Sequence, residues 1–153
     1  MATRLETHWT YDCESDESAD QSNAARVAWG YWGARQLNNG TPYYADFSVP
    51  ADFLSLHSAV VVIIADTTET VQWDVYAGVG HAGDNYDADD RSALDNQQAV
   101  TQNQLAELDI SNVLTNLSPV DYGGIGFVSN TATLNVIGIR LVFTCILNPE
   151  LPT

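Results

Sequence analysis

The chain of 153 residues is long enough for one domain with a buried core. It carries 20 acidic residues against 5 basic ones, all arginine with no lysine, and the formal net charge of −15 argues against nucleic acid or an anionic membrane surface as a partner. A hydrophobic fraction of 45% with only 16% charged residues is globular rather than disordered composition, and no apolar run reaches the roughly 18 residues of a membrane span.

Residues 5–13 alternate, with Leu5, Thr7, Trp9, Tyr11 and Cys13 on one side and Glu6, His8, Thr10 and Asp12 on the other. That is the period of a strand with one face toward a core, and the first set is predicted to be the core face. Residues 14–23 read as a polar acidic loop, and residues 24–33 as a second, aromatic strand. Asn38-Asn39-Gly40 marks a turn, because Asn and Gly tolerate positive φ. Residues 42–49 form a short strand, after which Pro50-Ala51-Asp52-Phe53 turns the chain. Residues 58–65 are a β-branched run that is apolar on both faces, as a central strand requires. After the polar turn at residues 66–70, Val71, Trp73, Val75, Ala77 and Val79 alternate with Gln72, Asp74, Tyr76 and Gly78. Residues 80–96 read as a second acidic loop and 98–105 as a strand.

Residues 106–117 hold the one plausible helix, with Leu108, Ile110, Val113, Leu114 and Leu117 at roughly helical spacing and Ser111 placed to cap a short turn near 110–117. Tyr122 to Val128 is a strand loosened by three glycines. Residues 132–146 are a long last strand with a bulge or bend expected at Gly138, followed by a tail at 147–153. Seven to nine strands separated by turn signals predict one all-β domain over residues 1–153, an antiparallel β-sandwich of jelly-roll or Greek-key type.

No secretory signal is expected, since the first nine residues contain neither an apolar segment nor a cleavage site. Cys13 and Cys145 are either two thiols or one bridge tying the ends of the chain together. Such a bridge would add up to about 4–5 kcal/mol in the chain-entropy description. Parallel or facing terminal strands would bring the two together, and antiparallel neighbours would hold them at opposite ends.

Catalytic signatures are absent from the sequence: there is no GxSxG elbow and no His pair at metal-ligand spacing, and acids are too abundant for any pair to stand out as a glycosidase pair. The expectation is a non-enzymatic protein that requires no cofactor. The richest acidic stretch is residues 84–90, where Asp84, Asn85, Asp87 and Asp89 offer closely spaced oxygen ligands of the kind Ca²⁺ takes. Asp90 stands where a calcium loop of the EF-hand type needs Gly, and the competing reading is a solvated acidic loop. Trp9 and Trp73 fall on the apolar sides of their strands and are predicted core residues. Trp29 and Trp32 would point to opposite faces of one regular strand, so one of them is a candidate exposed or interface aromatic, and Tyr43 and Tyr44 are a second candidate pair.

The run Val49-Pro50-Ala51-Asp52-Phe53, Ala59 to Ile64, Val71-Gln72-Trp73-Asp74-Val75, Leu108-Asp109-Ile110, Tyr122-Gly123-Gly124-Ile125 and Leu134 to Leu141 resembles the jelly-roll modules of phage and archaeal-virus particles. The resemblance covers residues 42–143. It implies a virion structural protein on the particle surface, as capsid decoration, turret or tail-associated subunit, working as a homo-oligomer (a trimer, or else a pentamer) against major capsid or tail proteins. It carries over no functional residue.

The composition adds a setting. Unpaired acids repel one another in dilute buffer, whereas molar salt shortens the Debye length to about 3 Å. An Asp-rich, lysine-free surface therefore fits a halophilic archaeal host. The alternative from a different class is a glycan-binding β-sandwich used in host attachment, assisted by Ca²⁺ at the 84–90 loop. That reading requires an exposed aromatic beside the loop.

Overall fold

The structure, a computed structural model, describes residues 1–11, 24–131 and 133–147, with residues 24–29 described as backbone. The acidic loop expected at 14–23, Cys13 and the tail beyond Leu147 lie outside the described residues. The strands are β1 (Thr3–Thr10), β2 (Ala24–Trp29), β3 (Trp32–Leu37), β4 (Pro42–Ser48), β5 (Phe53–Ala65), β6 (Glu69–Gly80), β7 (Asp90–Val100), β8 (Leu105–Asp109), β9 (Tyr122–Ser129) and β10 (Leu134–Ile146). One sheet runs β2-β3-β10-β5-β8, with β1 also paired to β10, and the other runs β4-β9-β6-β7.

All pairings are antiparallel, and four of them nest inside one another: β3 with β10, β4 with β9, β5 with β8, and β6 with β7. Successive pairs fall in alternate sheets, as when one long hairpin is rolled up around a core. That is the strand order of a jelly roll, so the expected all-β sandwich is the fold observed.

The core lies between the sheets and follows the alternation of the sequence. Val71, Trp73, Val75 and Ala77 of β6 meet Val61 and Ile63 of β5, Ile125 and Phe127 of β9, and Leu141 and Phe143 of β10. Trp73 packs on Phe127 at 6.4 Å, and Phe53 meets Phe143 edge-on at 5.7 Å. Side chains of this size contribute about 1.5–3 kcal/mol each when fully buried. From Ala59 to Ala65 β5 is buried on both faces, as its unbroken apolar run requires of a strand segment lying between β10 and β8. The bulge or bend expected at Gly138 is present, as a register shift against β5 between Val136 and Gly138.

Five local expectations are corrected. β1 alternates as predicted, but with its faces exchanged: Leu5, Thr7 and Trp9 face solvent, and Arg4, Glu6, His8 and Thr10 turn inward. Residues 24–33 are not one strand, because Gly30, at φ +60°, turns β2 into β3. Trp29 and Trp32 are therefore register partners across a hairpin rather than neighbours on opposite faces of one strand. β7 starts at Asp90, inside the predicted loop 80–96, and ends at Val100. The expected helix over 106–117 is edge strand β8 followed by a single 3₁₀ turn, Ser111–Val113. Leu and Glu favour helix locally, but pairing with β5 and burial of Leu108 and Ile110 prevail. Tyr43, a candidate exposed aromatic, is only 2% exposed and belongs to the core.

Candidate functional site

The register of the four-stranded sheet sets the chemistry of its outer face. Residues directly opposite one another share a face. One row runs Tyr44, Gly126, Tyr76, Ser92, the next Asp46, Gly124, Gly78, Asp90, and the last Ser48, Tyr122, Gly80. The two central strands thus place glycine at four outward positions: Gly78, Gly80 and Gly124 form a floor of backbone along the groove, and Gly126 is buried against Tyr44 and Tyr76.

Carboxylates and rings rest against that floor. A Cβ at Gly78 would lie 3.2 Å from Asp90 Oδ1, one at Gly124 3.4 Å from Asp46 Oδ1, one at Gly80 3.4 Å from Asp84 Oδ2, and one at Gly126 3.3 Å from Tyr44 Cε1. Tyr44, Tyr76 and Tyr122 stand exposed around the strip, and Tyr86, 92% exposed, joins them from the β6–β7 loop. Tyr86 and Tyr122, with Asp46 and with His81, Asp84 and Asn85 of that loop, bound an open groove of about 360 Å³.

The loop is held by its own polar groups. Asp84 Oδ2 accepts from His81 N at 2.8 Å, and Asp84 N donates to His81 O at 3.1 Å. Asp89 accepts from Arg91 Nε at 2.9 Å and Nη2 at 2.6 Å, while Arg91 Nη1 donates to Thr115 O. The hydrogen bonds from Arg91 hold the Asp89 carboxyl below its ordinary range, and Asp89 in turn raises Arg91. His81 is fixed from beneath, its Nδ1 lying 2.7 Å from Oδ1 of the buried Asp121. Asp121 Oδ2 accepts from Ser118 N at 2.7 Å.

Of the residues picked out as calcium ligands, Asp84 and Asn85 line the groove, Asp87 is exposed, and Asp89 is paired with Arg91. Among the described residues, the side chains whose ligand atoms converge within 4.8 Å are instead Glu6, Asp52 and Cys145. Arg4 already occupies that cluster, 2.7 Å from Glu6 and 2.5 Å from Asp52. The hydrogen bond from Arg4 depresses the Asp52 carboxyl, and burial, reinforced by Asp52 and Glu6, pushes the Cys145 thiol up. Cys145 is a buried free thiol; antiparallel pairing sets it opposite Arg4, at the far end of β1 from Thr10, and Cys13 lies outside the described residues. Trp32 and Tyr44 are exposed as expected, but only Tyr44 belongs to the groove face.

Sequence reasoning missed the four outward glycines, Asp46, Asp90, His81, Asp121, Tyr76 and Tyr122. A signal was present: Tyr76, Gly78, Gly80 and Tyr122, Gly124, Gly126 repeat the same two-residue spacing on the outward phase of β6 and β9. Two such strips become one floor only once the register of β6 and β9 is known.

Fold and site together define a jelly-roll sandwich with an open, acidic, tyrosine-rimmed groove on one sheet. No family model and no curated protein matches the chain. Among solved structures it is similar to TmCBM61 in complex with β-1,4-galactotriose, at 14% identity over 92% of this chain and 87% of that one, with a TM-score of 0.34.

Proposed function

We propose that this chain is a glycan-binding β-sandwich module whose site is the groove over β4, β9, β6 and β7. The observation that carries the reading is the glycine floor set between exposed tyrosines and carboxylates. A sugar ring has an apolar C–H face that packs on an aromatic ring, and hydroxyls that donate to carboxylates in charge-assisted bonds. Missing side chains on the floor let the ring approach the backbone.

Asp46, Asp84 and Asp90 make the groove hostile to sulfated or uronic sugars, so the ligand is a neutral or amino sugar. Binding is independent of Ca²⁺, because Asp89 is taken by Arg91 and Asp84 by the backbone of His81. The test is a glycan array followed by calorimetry in molar salt, with and without EDTA. Binding of neutral or amino oligosaccharides that survives EDTA and is lost in Tyr86→Ala supports the reading. A blank array with folded protein overturns it.

We further propose that the module is displayed on the particle of a halophilic archaeal virus, as capsid decoration, turret or tail-associated subunit. The complete jelly-roll strand nesting and the lysine-free surface of net charge −15 support this setting. Co-sedimentation of the chain with purified particles at a fixed copy number is the expected result, and its absence from particles would remove the proposal.

A further inference from the structure

β1 is built inside out, and its inward side is fully engaged. Arg4 Nη1 donates to Asp52 Oδ2 at 2.5 Å and to Ile146 O at 2.6 Å, while Nη2 donates to Glu6 Oε2 at 2.7 Å. His8 Nε2 lies 2.6 Å from Glu6 Oε1, and its ring meets Phe143 edge-on at 5.2 Å. Thr10 Oγ1 donates to Asp46 O at 2.6 Å. A slip of one residue would turn all of these groups to solvent, so the face assignment is fixed.

The outward side has no cover among the described residues. Leu5, Trp9 and Tyr11 are 59%, 44% and 60% exposed, and the last two stack at 6.4 Å with planes 12° apart. β1 pairs with β10 on one edge, and among the described residues no strand pairs with its other edge. An open edge carrying exposed apolar residues is a template for another strand.

We propose that this edge is the two-fold interface of a homodimer, in which β1 pairs antiparallel with β1 of a second copy and joins the two larger sheets. Charge singles out a second copy. At −15 per chain most surfaces of two copies repel, but Thr3 to Tyr11 carries one Arg, one Glu and one His.

The same sequence sets the register once Tyr11 is required to find a mate, which excludes a pairing centred on Leu5, where Glu6 would oppose the partner's Arg4 but Tyr11 would fall beyond the partner's Met1. Continuous sheet faces require partners of equal parity, so the two-fold axis falls on a single residue. Centred on Glu6, the pairing sets Glu6 against the partner's Glu6 and Arg4 against the partner's His8. Centred on His8, it sets histidine against histidine. Centred on Thr7, it places Leu5 opposite the partner's Trp9 and Glu6 opposite the partner's His8, with no like pair apart from Thr7 on itself. Edge pairing of this kind closes with two copies rather than with the trimer or pentamer that the virion resemblance implies.

The test is solution mass by light scattering and ultracentrifugation in molar salt, with cysteine variants in a Cys13→Ser background. Thr7→Cys is expected to cross-link on mild oxidation, because directly opposed residues lie about 4.5–5.5 Å apart at Cα, within disulfide reach. Leu5→Cys, four residues from its own mate in this register, is expected not to. Trp9→Glu is expected to sediment as a monomer with an unchanged circular dichroism spectrum. A wild-type monomer at all concentrations, a trimer or pentamer, or cross-linking through Leu5→Cys in place of Thr7→Cys would each overturn the proposal.

Discussion

His81 Nδ1 stands 2.7 Å from Asp121 Oδ1, an exposed ring resting on a carboxylate that is itself 3% exposed. The contact ties the groove to the sandwich edge. Asp121 also accepts from Ser118 N through Oδ2, and its backbone O accepts from Val49 N at 2.8 Å. Asp121→Ala removes the acceptor for a turn amide and the anchor of His81 in one step. Losing a buried, charge-assisted partner of this kind costs about 1–3 kcal/mol. The expected outcome is a lower urea midpoint at unchanged m-value, together with weaker glycan binding. An unchanged midpoint would show that Asp121 is not the anchor.

Val120, beside it, sits at φ +62°, a region a β-branched residue enters only under constraint. The constraint is visible: Pro119 precedes it, Val120 N donates to Val49 O at 3.2 Å, and Asp121 N closes the turn on Ser118 O at 3.2 Å. Val120→Gly keeps both amides and relieves strain of order 1–3 kcal/mol, less a smaller entropic cost in the unfolded chain. A net gain of about 1 kcal/mol is expected, read as a higher melting temperature. A loss would mean that the exposed Val120 side chain contributes more than its conformation costs.

The fold was legible in the sequence where burial and periodicity agree, and obscure where they part. β6, β9 and β10 are read correctly, and β5 from Ser58 onward although it starts at Phe53, because alternate apolar residues of these strands enter one core. β1 shows the limit: its period is plain, yet its apolar residues face out, since Arg4 and His8 find partners in Asp52 and Phe143, residues far away in sequence. β8 shows another limit, because Leu, Ala and Glu suit a helix until β5 supplies an edge to pair with. The groove was half visible. Its acidic loop was recognised, but the glycine strips and Tyr122 join that loop only through the pairing of β6 with β9.

Salt should stabilise this molecule. Five arginines face 20 carboxylates, and the described ion pairs that neutralise carboxylates gather around Arg4, Arg91 and Arg140. The remaining acids repel across a Debye length of about 10 Å in 0.1 M salt and about 3 Å in 1 M. Melting temperature is expected to rise steadily with NaCl into the molar range, and KCl should act alike because the effect is screening. A flat or falling profile would count against the halophilic setting.

Acid should unpick the Arg4 cluster in a defined direction. The hydrogen bond from Arg4 holds the folded-state Asp52 carboxyl below its ordinary value of 3.8. A depressed carboxyl adds stability that is fully present above the unfolded value and is lost as pH falls through the folded one. Arg4→Gln is therefore expected to be less stable than wild type at neutral pH, with the gap closing as pH drops below 3.8. A gap that is the same at neutral pH and in acid would assign the loss to packing of the Arg4 side chain rather than to its charge.

The sharpest test of the groove fills its floor and leaves the core untouched. Gly124 faces outward between Asp46 and Gly78, and a Cβ placed there meets Asp46 Oδ1 at 3.4 Å, an ordinary contact. Gly124→Val replaces a poor strand former with a good one on a solvent face, so the melting temperature should hold or rise. The added methyls occupy the surface on which a sugar ring would lie, and binding should fall at least tenfold, about 1.4 kcal/mol. Gly123 supplies the contrast, since a Cβ there would lie 2.2 Å from Phe47 Cζ inside the core. Gly123→Val should unfold the protein, whereas Gly124→Val should leave it folded and unable to bind. Full glycan affinity in Gly124→Val would place the site elsewhere on the molecule.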